Sequence, residues 1–271
     1  MADAADSSGA GRARLEFGLA AVLGLLACLL ACSPAAMATE TLRVAAASDL
    51  RTVWLALQAE FGQQSKVKLS ASFAASGKLS QQIEQGAPFD VFMSADQAFV
   101  ERLQAGGHTQ GAAVRYTRGQ LGLWLRDDSP VQSLEQLSER LSGKLVLANP
   151  RHAPYGMRAR EVLQASGQWQ ALEPRLVMGE NVAQAAQLAL SGQAEAGLIA
   201  WSLRKEIPFG RWQPIDPGLH QPLWQVGVAL NTQQQQAAQQ WLAFLLSAPA
   251  QAIFQRHGFL PLEPEPAAAT E

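Results

Sequence analysis

Four places in the sequence put small polar residues where an apolar run ends and a helical pattern begins. The residues at these junctions are Ser48 and Asp49, Ser76 and Gly77, Pro154 and Tyr155, and Asn181 and Val182. In the first turn of a helix the backbone N–H groups lack intrahelical acceptors, and the helix dipole is positive there. Several such turns that converge would bind an anion without any charged side chain.

Each junction taken alone has a simpler interpretation. Ser48, Ser76 and Asn181 are residue types that commonly cap the N-terminus of a helix. Four junctions of the same kind, two in each half of the chain, favour a shared site over four unrelated caps. The sequence therefore predicts an anion site in a cleft between two lobes, while the capping alternative stays open for each residue.

Other kinds of chemistry find little support in the residue types. The histidines are scattered, and none has a second metal ligand at i+3 or i+4; they are His108, His152, His220 and His257. The stretch AASGK (74–78) lacks the first glycine of a serine-hydrolase nucleophile elbow. With two tyrosines in the chain, a tyrosine-rich ferric site is not expected. We therefore predict a binding protein that is not an enzyme and uses no cofactor.

Hydrophobic periodicity predicts the elements that carry the junctions. The strand-like run LRVAAAS (42–48) is followed by apolar residues at helical spacing, namely Leu50, Val53, Trp54, Leu57 and Phe61. The same alternation recurs in the middle of the chain, where KLVLANP (144–150) precedes a helical pattern. This order predicts an α/β fold with two lobes, each a mostly parallel sheet flanked by helices.

Two longer apolar stretches are predicted to connect the lobes. They are YTRGQLGLWL (116–125) and LWQVGVAL (223–230). This interpretation assigns residues 39–115 and 226–271 to lobe one and residues 116–225 to lobe two. A ligand held by both lobes would close the cleft, because its donors meet only when the lobes approach.

The first 38 residues are predicted to be a secretory signal peptide. Arg12 and Arg14 precede the apolar run Leu19–Ala31, and the small residues Ala36–Ala38 suit a signal peptidase. The run is shorter than the ~20 residues of a membrane-spanning helix, which argues against an anchor. Lipidation at Cys32 in LLACS (29–33) is the alternative, and either route predicts a periplasmic protein.

Both cysteines, Cys28 and Cys32, lie in that segment, so the mature chain is expected to lack disulfides and thiolate sites. Without residues 1–38 the chain keeps 19 basic and 20 acidic residues, a net charge of −1. A balance so close to neutrality argues against nucleic acid or an acidic membrane surface as a partner.

Five stretches of the mature chain form an ordered pattern. They are AAASDL (45–50), SFAASGKLSQQIEQGAPFDVFMSAD (72–96), NPRHAPYGMRAREVL (149–163), ENVAQAAQLALSGQAEAGLIA (180–200) and IFQRHGF (253–259). In order and spacing they resemble the periplasmic molybdate-binding protein of bacterial molybdate ABC importers, and the resemblance extends from about Leu42 to Leu260. It implies a monomeric, two-lobed type II periplasmic binding protein. Such a protein holds molybdate or tungstate between its lobes and delivers it to permease and ATPase subunits.

The resemblance also implies which residues bind the oxyanion. The hydroxyl of Ser48, the N–H of Asp49, the hydroxyl and N–H of Ser76, and the N–H groups of Tyr155 and Val182 match the donor positions of the family. Molybdenum would be held as the oxyanion through these residues, with no direct metal ligand. Many members also have a tyrosine where this chain has Ala200, so that donor is expected to be missing.

Alternatives remain for the ligand and for the use of the fold. Phosphate keeps a proton near neutral pH and gains from a buried acceptor, whereas molybdate, tungstate and sulfate need donors only. Asp49 is the carboxylate among the junction residues, and we expect it to cap its own helix and face away from the anion. An enzyme or a sensor on the same fold is a further alternative, because fold alone does not define function.

Overall fold

The computed structural model describes residues 41–262. The predicted signal peptide over residues 1–38 lies outside the described residues, as do Cys28 and the alternative lipidation site at Cys32. No helix among the described residues has the length and hydropathy that a membrane span requires.

Strands and helices alternate along residues 41–262, which form ten strands and nine α-helices. The strands are β1 (Thr41–Ala47), β2 (Lys68–Ala74), β3 (Val91–Ser94), β4 (Thr109–Gly119), β5 (Leu121–Leu125), β6 (Leu145–Ala148), β7 (Leu176–Gly179), β8 (Ala196–Ala200), β9 (Arg211–Pro214) and β10 (Leu223–Leu230). The helices are α1 (Arg51–Phe61), α2 (Ser76–Glu84), α3 (Gln97–Ala105), α4 (Leu137–Arg140), α5 (Pro154–Ala165), α6 (Trp169–Leu172), α7 (Val182–Leu190), α8 (Gln235–Leu245) and α9 (Ala248–Arg256). Shorter 3₁₀ helices cover Ser48–Leu50, Leu134–Gln136, Glu173–Arg175, Trp201–Glu206 and Pro217–Leu219.

The strands form two five-stranded sheets, with the orders β2-β1-β3-β10-β4 and β7-β6-β8-β5-β9. β1 pairs in parallel with β2 and β3, and β6 pairs in parallel with β7 and β8. β10 and β5 run antiparallel to both of their neighbours. The predicted α/β fold with one sheet in each lobe is confirmed, and the antiparallel pairs involve the strands next to the crossings between the sheets.

The crossings between the sheets lie at the ends of β4 and β9. Gln120 separates β4 of the first sheet from β5 of the second, and the chain returns between Pro214 and Leu223. We call residues 41–119 and 223–262 the first lobe and residues 121–214 the second lobe. The predicted boundaries at 115/116 and 225/226 fall inside β4 and β10, because these two strands pair with each other up to Gly119 and Leu223.

Parallel strands end at the same edge of a sheet, and this arrangement brings the predicted junctions together. β1, β2 and β3 end at Ala47, Ala74 and Ser94, and β6, β7 and β8 end at Ala148, Gly179 and Ala200. Ligands of open α/β sheets bind beyond such carboxyl ends. Each lobe therefore presents one edge with helix N-termini, and the two edges meet across the cleft.

The helix α1 shows how packing holds one of these junctions in place. Its buried residues are Val53, Trp54, Leu57 and Phe61, as the sequence pattern predicts. Trp54 and Phe61 contact Trp241 of α8 edge to face, with ring centroids 5.6 and 5.1 Å apart, a favoured geometry for aromatic pairs. The 3₁₀ turn Ser48–Leu50 that leads into α1 is thereby fixed at the end of β1.

Candidate functional site

A cavity lies between the carboxyl edges of the two sheets. The empty space in it, part of which is open to solvent, is about 180 Å³. All five predicted site residues line it, namely Ser48, Asp49, Ser76, Tyr155 and Val182. None of the described residues in its lining is a lysine, an arginine or a histidine. The cavity therefore suits a small ion or molecule held by neutral groups.

Small side chains make up much of the cavity wall. The alanines that line it are Ala47, Ala74, Ala75, Ala95 and Ala153. A methyl group leaves room for a ligand to approach the backbone closely, where N–H groups are the donors. Of the three alanines that end β1, Ala47 lines the cavity, whereas Ala45 and Ala46 pack in the hydrophobic cores.

The two serines of the predicted site, Ser48 and Ser76, are buried and do not cap their helices. The cap positions are Ala47 and Ala75, and neither Ser48 nor Ser76 stands at one. The Ser76 Oγ accepts the N–H of Ala95 at 3.1 Å, and the Ser48 Oγ lies 3.5 Å from the N of Ala183. A hydroxyl that accepts a hydrogen bond still has its own proton to donate. Because neither serine stands at a cap position, the capping alternative fails for both.

The second lobe contributes the N-termini of α5 and α7. Pro154 occupies the first position of α5 and needs no acceptor, and Tyr155 follows it. Asn181 is the N-cap of α7, where its side chain accepts the N–H of Gln184 at 3.0 Å. The capping interpretation is thus correct for Asn181. Tyr155 and Val182 stand in first turns, whose N–H groups the helices themselves cannot satisfy.

Asp49 differs from the expectation that it caps its own helix and faces away. Its side chain is fully buried, and its Oδ2 accepts the hydroxyl of Tyr155 at 3.0 Å and the amide of Gln225 at 2.7 Å. Among the described residues Oδ1 has no hydrogen-bond partner. The reason is local, because the 3₁₀ turn after β1 buries Ser48, Asp49 and Leu50 alike.

Burial changes the acidity of Asp49 and its neighbours. It raises the pKa of Asp49 to about 6, although hydrogen bonds from Tyr155 and Gln225 oppose the rise. Burial and the nearby carboxylate also raise the pKa values of Tyr155 and Tyr116 well above the ordinary range. Both phenols therefore stay protonated. Residues 41–262 contain no group of three or more His, Cys, Asp or Glu side chains that could hold a metal ion.

The raised pKa of Asp49 predicts a pH-dependent stability. Its folded value of about 6 exceeds the ordinary 3.8, so the ionised form is destabilising. The stability that the protonated form of Asp49 contributes is complete below about pH 3.8 and is lost as the pH rises through about 6. Asp49→Asn removes the ionisation. The quantity to measure, without anion, is the unfolding temperature of the variant minus that of the unchanged protein. We expect this difference to be larger at pH 7.5 than at pH 4. A difference that stays constant between these pH values would contradict this prediction.

Several residues near the cavity were missed by sequence reasoning. The family resemblance indicates a role for the N–H of Tyr155 alone, yet its phenol reaches Asp49 in the other lobe. Gln225 lies 176 positions from Asp49, and the Ser202 hydroxyl donates to the Asp49 carbonyl at 3.3 Å. Ala200 is fully buried at the end of β8, so no phenol stands there. No local pattern marks Gln225, because it is one residue within an apolar strand.

Two lobes that face each other with helix N-termini across an ion-sized cavity define a type II periplasmic binding protein. The model of the family "Bacterial extracellular solute-binding protein" matches residues 42–260. The molybdate-binding protein ModA of Azotobacter vinelandii is 33% identical over 244 residues, which are 88% of this chain and 96% of that protein. ModA of Rhodobacter capsulatus is 32% identical over 202 residues, 74% of this chain and 80% of that protein.

A solved structure agrees with these sequence relatives. The periplasmic molybdate-binding protein of Azotobacter vinelandii superposes with a TM-score of 0.76 at 26% identity, covering 82% of this chain and all of that one. The chain therefore belongs to the bacterial extracellular solute-binding proteins and, among them, to the periplasmic molybdate-binding proteins. Its place of action is outside the cytoplasm, as the family description states.

Proposed function

We propose that this protein captures molybdate outside the cytoplasm and delivers it to an ABC importer. The observation that carries the proposal is the composition of the cavity: hydroxyls and helix N-termini converge from both lobes, and no cationic side chain is in the lining. The names of the Azotobacter and Rhodobacter relatives support the same ligand. In this proposal Ser48, Asp49, Ser76, Tyr155 and Val182 are the binding residues.

The chemistry of the donors suits a fully deprotonated oxyanion. Each oxygen of such an ion accepts hydrogen bonds and offers none, so every contacting group should be a donor. Hydroxyls and N–H groups in a buried cavity interact strongly with charge, because little solvent screens them. Helix dipoles add positive potential from three directions, at α2, α5 and α7. Tungstate has the same charge and shape as molybdate, so we propose that it binds as well.

A second candidate ligand follows from Asp49. A buried carboxylate with one unpartnered oxygen can accept a hydrogen bond from a proton that the ligand carries. This favours an oxyanion that stays protonated near neutral pH, such as phosphate. We place molybdate first because the other oxygen of Asp49 already accepts two hydrogen bonds, which gives the carboxylate a role in holding Tyr155 and Gln225.

Isothermal titration of residues 39–271 separates these ligands. We expect molybdate and tungstate to bind with Kd values below about 1 µM, equivalent to about 8 kcal/mol, and sulfate to bind at least tens of times more weakly. Sulfate carries the same charge but is smaller, so fewer donors reach it at once. Phosphate should give little heat at pH 7.5. Equal affinity for sulfate, or tighter binding of phosphate, would overturn the molybdate proposal.

Further parts of the proposal concern location and partners. We propose that residues 1–38 direct export to the periplasm, either as a cleaved signal peptide or through lipidation at Cys32. The mature protein would act as a monomer, without enzymatic activity or a cofactor, and would present its closed form to permease and ATPase subunits. Gln120 and residues 215–222, where the chain crosses between the sheets, would accommodate the rotation of the lobes.

A further inference from the structure

The helix α5 contacts the opposite lobe with two side chains that are one turn apart. The Tyr155 hydroxyl donates to Asp49, which follows the end of β1. Arg158, three residues later, reaches Asp96, which follows the end of β3. β1 and β3 are neighbours in the first sheet. A single helix of the second lobe therefore holds the ends of two adjacent strands of the first lobe.

The contact of Arg158 is a nearly buried ion pair across the cleft. Its Nη2 donates to Asp96 Oδ2 at 2.6 Å, and the two side chains are 10% and 13% exposed. Its Nη1 donates to both oxygens of Glu161 at 2.8 and 3.0 Å. Asp96 uses its other oxygen to cap α3 through the N–H of Ala98 at 2.9 Å. Both partners of Arg158 are therefore held in place by their own helices.

Other contacts between the lobes are weaker candidates for holding the cleft closed. The ion pair of Lys78 with Glu180 joins side chains that are 44% and 54% exposed, and exposed pairs contribute little. The N–H of Gly77 donates to the carbonyl of His152 at 3.0 Å, a single neutral hydrogen bond. The pair of Arg158 with Asp96 is both charged and nearly buried.

We propose that Arg158 is a positioning residue that holds the lobes closed over the bound anion through its ion pair with Asp96. The proposal rests on the function proposed above, because it concerns the affinity of the same site. Arg158 is not in the cavity lining and acts on the anion through the position of the helix that carries Tyr155.

The charges around Arg158 explain why its loss should open the cleft. Without the guanidinium, the nearly buried carboxylate of Asp96 would stay with no cation beside it, and Glu161, which is 34% exposed, would lose its partner as well. Removing one partner of a buried pair leaves a charge that has lost its compensation. The open form exposes Asp96 to water, so the equilibrium shifts toward it. Asp96 also follows Ala95, whose N–H supports the Ser76 hydroxyl, so the disturbance lies beside the anion.

The test compares four single variants of the mature protein, and one double variant that combines Arg158→Met with Asp96→Asn, by titration with molybdate and by stopped-flow measurement of its dissociation. Arg158→Met keeps the length of the side chain and removes the charge, and Arg158→Lys keeps the charge. Asp96→Asn removes the partner's charge and keeps a good helix cap. Arg160→Met is the control, because Arg160 is exposed on the same helix and packs over Trp169 at 5.1 Å within its own lobe.

We expect Arg158→Met and Asp96→Asn each to weaken binding at least about tenfold, mainly through faster dissociation. The double variant should bind molybdate no more weakly than the weaker-binding of its two single variants. Arg158→Lys should bind more tightly than Arg158→Met, because it keeps the charge. Unchanged affinity in both single variants, additive losses in the double variant, or an equal loss in Arg160→Met would overturn the inference. If the unchanged protein gives no heat with molybdate, the proposed function itself fails, which is a distinct result.

Discussion

Replacing Ser48 and Ser76 together by alanine is expected to weaken molybdate binding by about a hundredfold to ten-thousandfold. In the proposed site each hydroxyl would donate to a dianion in a buried cavity, and hydrogen bonds to charged groups are worth roughly 1.5–3 kcal/mol each. One such bond corresponds to roughly a tenfold to hundredfold change in Kd. Isothermal titration measures the loss directly. The single variants should each show about half of it on a logarithmic scale.

Ser80→Ala is the matched control for this double variant. Ser80 lies one turn after Ser76 in α2, is also fully buried, and its hydroxyl has no hydrogen-bond partner among the described residues. The substitution Ser80→Ala makes the same chemical change in the same helix, but outside the cavity lining. We expect its affinity to equal that of the unchanged protein. Wild-type affinity in the Ser48 and Ser76 variants would show that these hydroxyls do not contact the anion.

The second large effect is expected for Gly156→Ala in the first turn of α5. A Cβ at this position would lie 2.1 Å from the carbonyl oxygen of Ala148 and 2.9 Å from the carbonyl carbon of Asn149. Both are backbone atoms, so the helix itself must move away from the end of β6. We expect a loss of about 1–3 kcal/mol or more in stability, as for other overpacked sites. Because Tyr155 and Arg158 move with the helix, anion affinity should fall by at least about tenfold.

Thermal unfolding and titration of the same preparation measure both parts of this prediction. Gly62→Ala is the control, because its Cβ would meet its nearest neighbour at 3.3 Å and its φ is −62°. This substitution should change neither affinity nor unfolding temperature by much. If Gly156→Ala binds molybdate like the unchanged protein, α5 does not supply a donor whose position matters.

The positions of the junctions were predictable because their signals are local. Alternating strand and helix patterns indicate a parallel arrangement, and parallel strands bring their ends to one edge. Ser48 and Ser76 could therefore be placed in one site from sequence. The burial of the helical residues Val53, Trp54, Leu57 and Phe61 follows from periodicity in the same way.

The contacts between the lobes could not be predicted because they join residues far apart in sequence. Tyr155 meets Asp49 across 106 positions, and Arg158 meets Asp96 across 62. Neither pair has a local pattern. The inward orientation of Asp49 depends on a 3₁₀ turn of three residues, whereas an α-helical start would have been expected. The predicted lobe boundaries differ from the crossings between the sheets for a related reason, because the pairing of β4 with β10 is not visible in either segment alone.

A crystal structure of the mature protein grown with molybdate would show where the ion binds, because anomalous scattering locates the molybdenum. We expect one strong peak in the cavity between the lobes. The oxygens of the ion should lie within hydrogen-bond distance, about 2.7–3.2 Å, of the Ser48 and Ser76 hydroxyls and of the N–H groups of Tyr155 and Val182. A peak held by lysine or arginine side chains elsewhere, with the cavity occupied by water, would contradict the account.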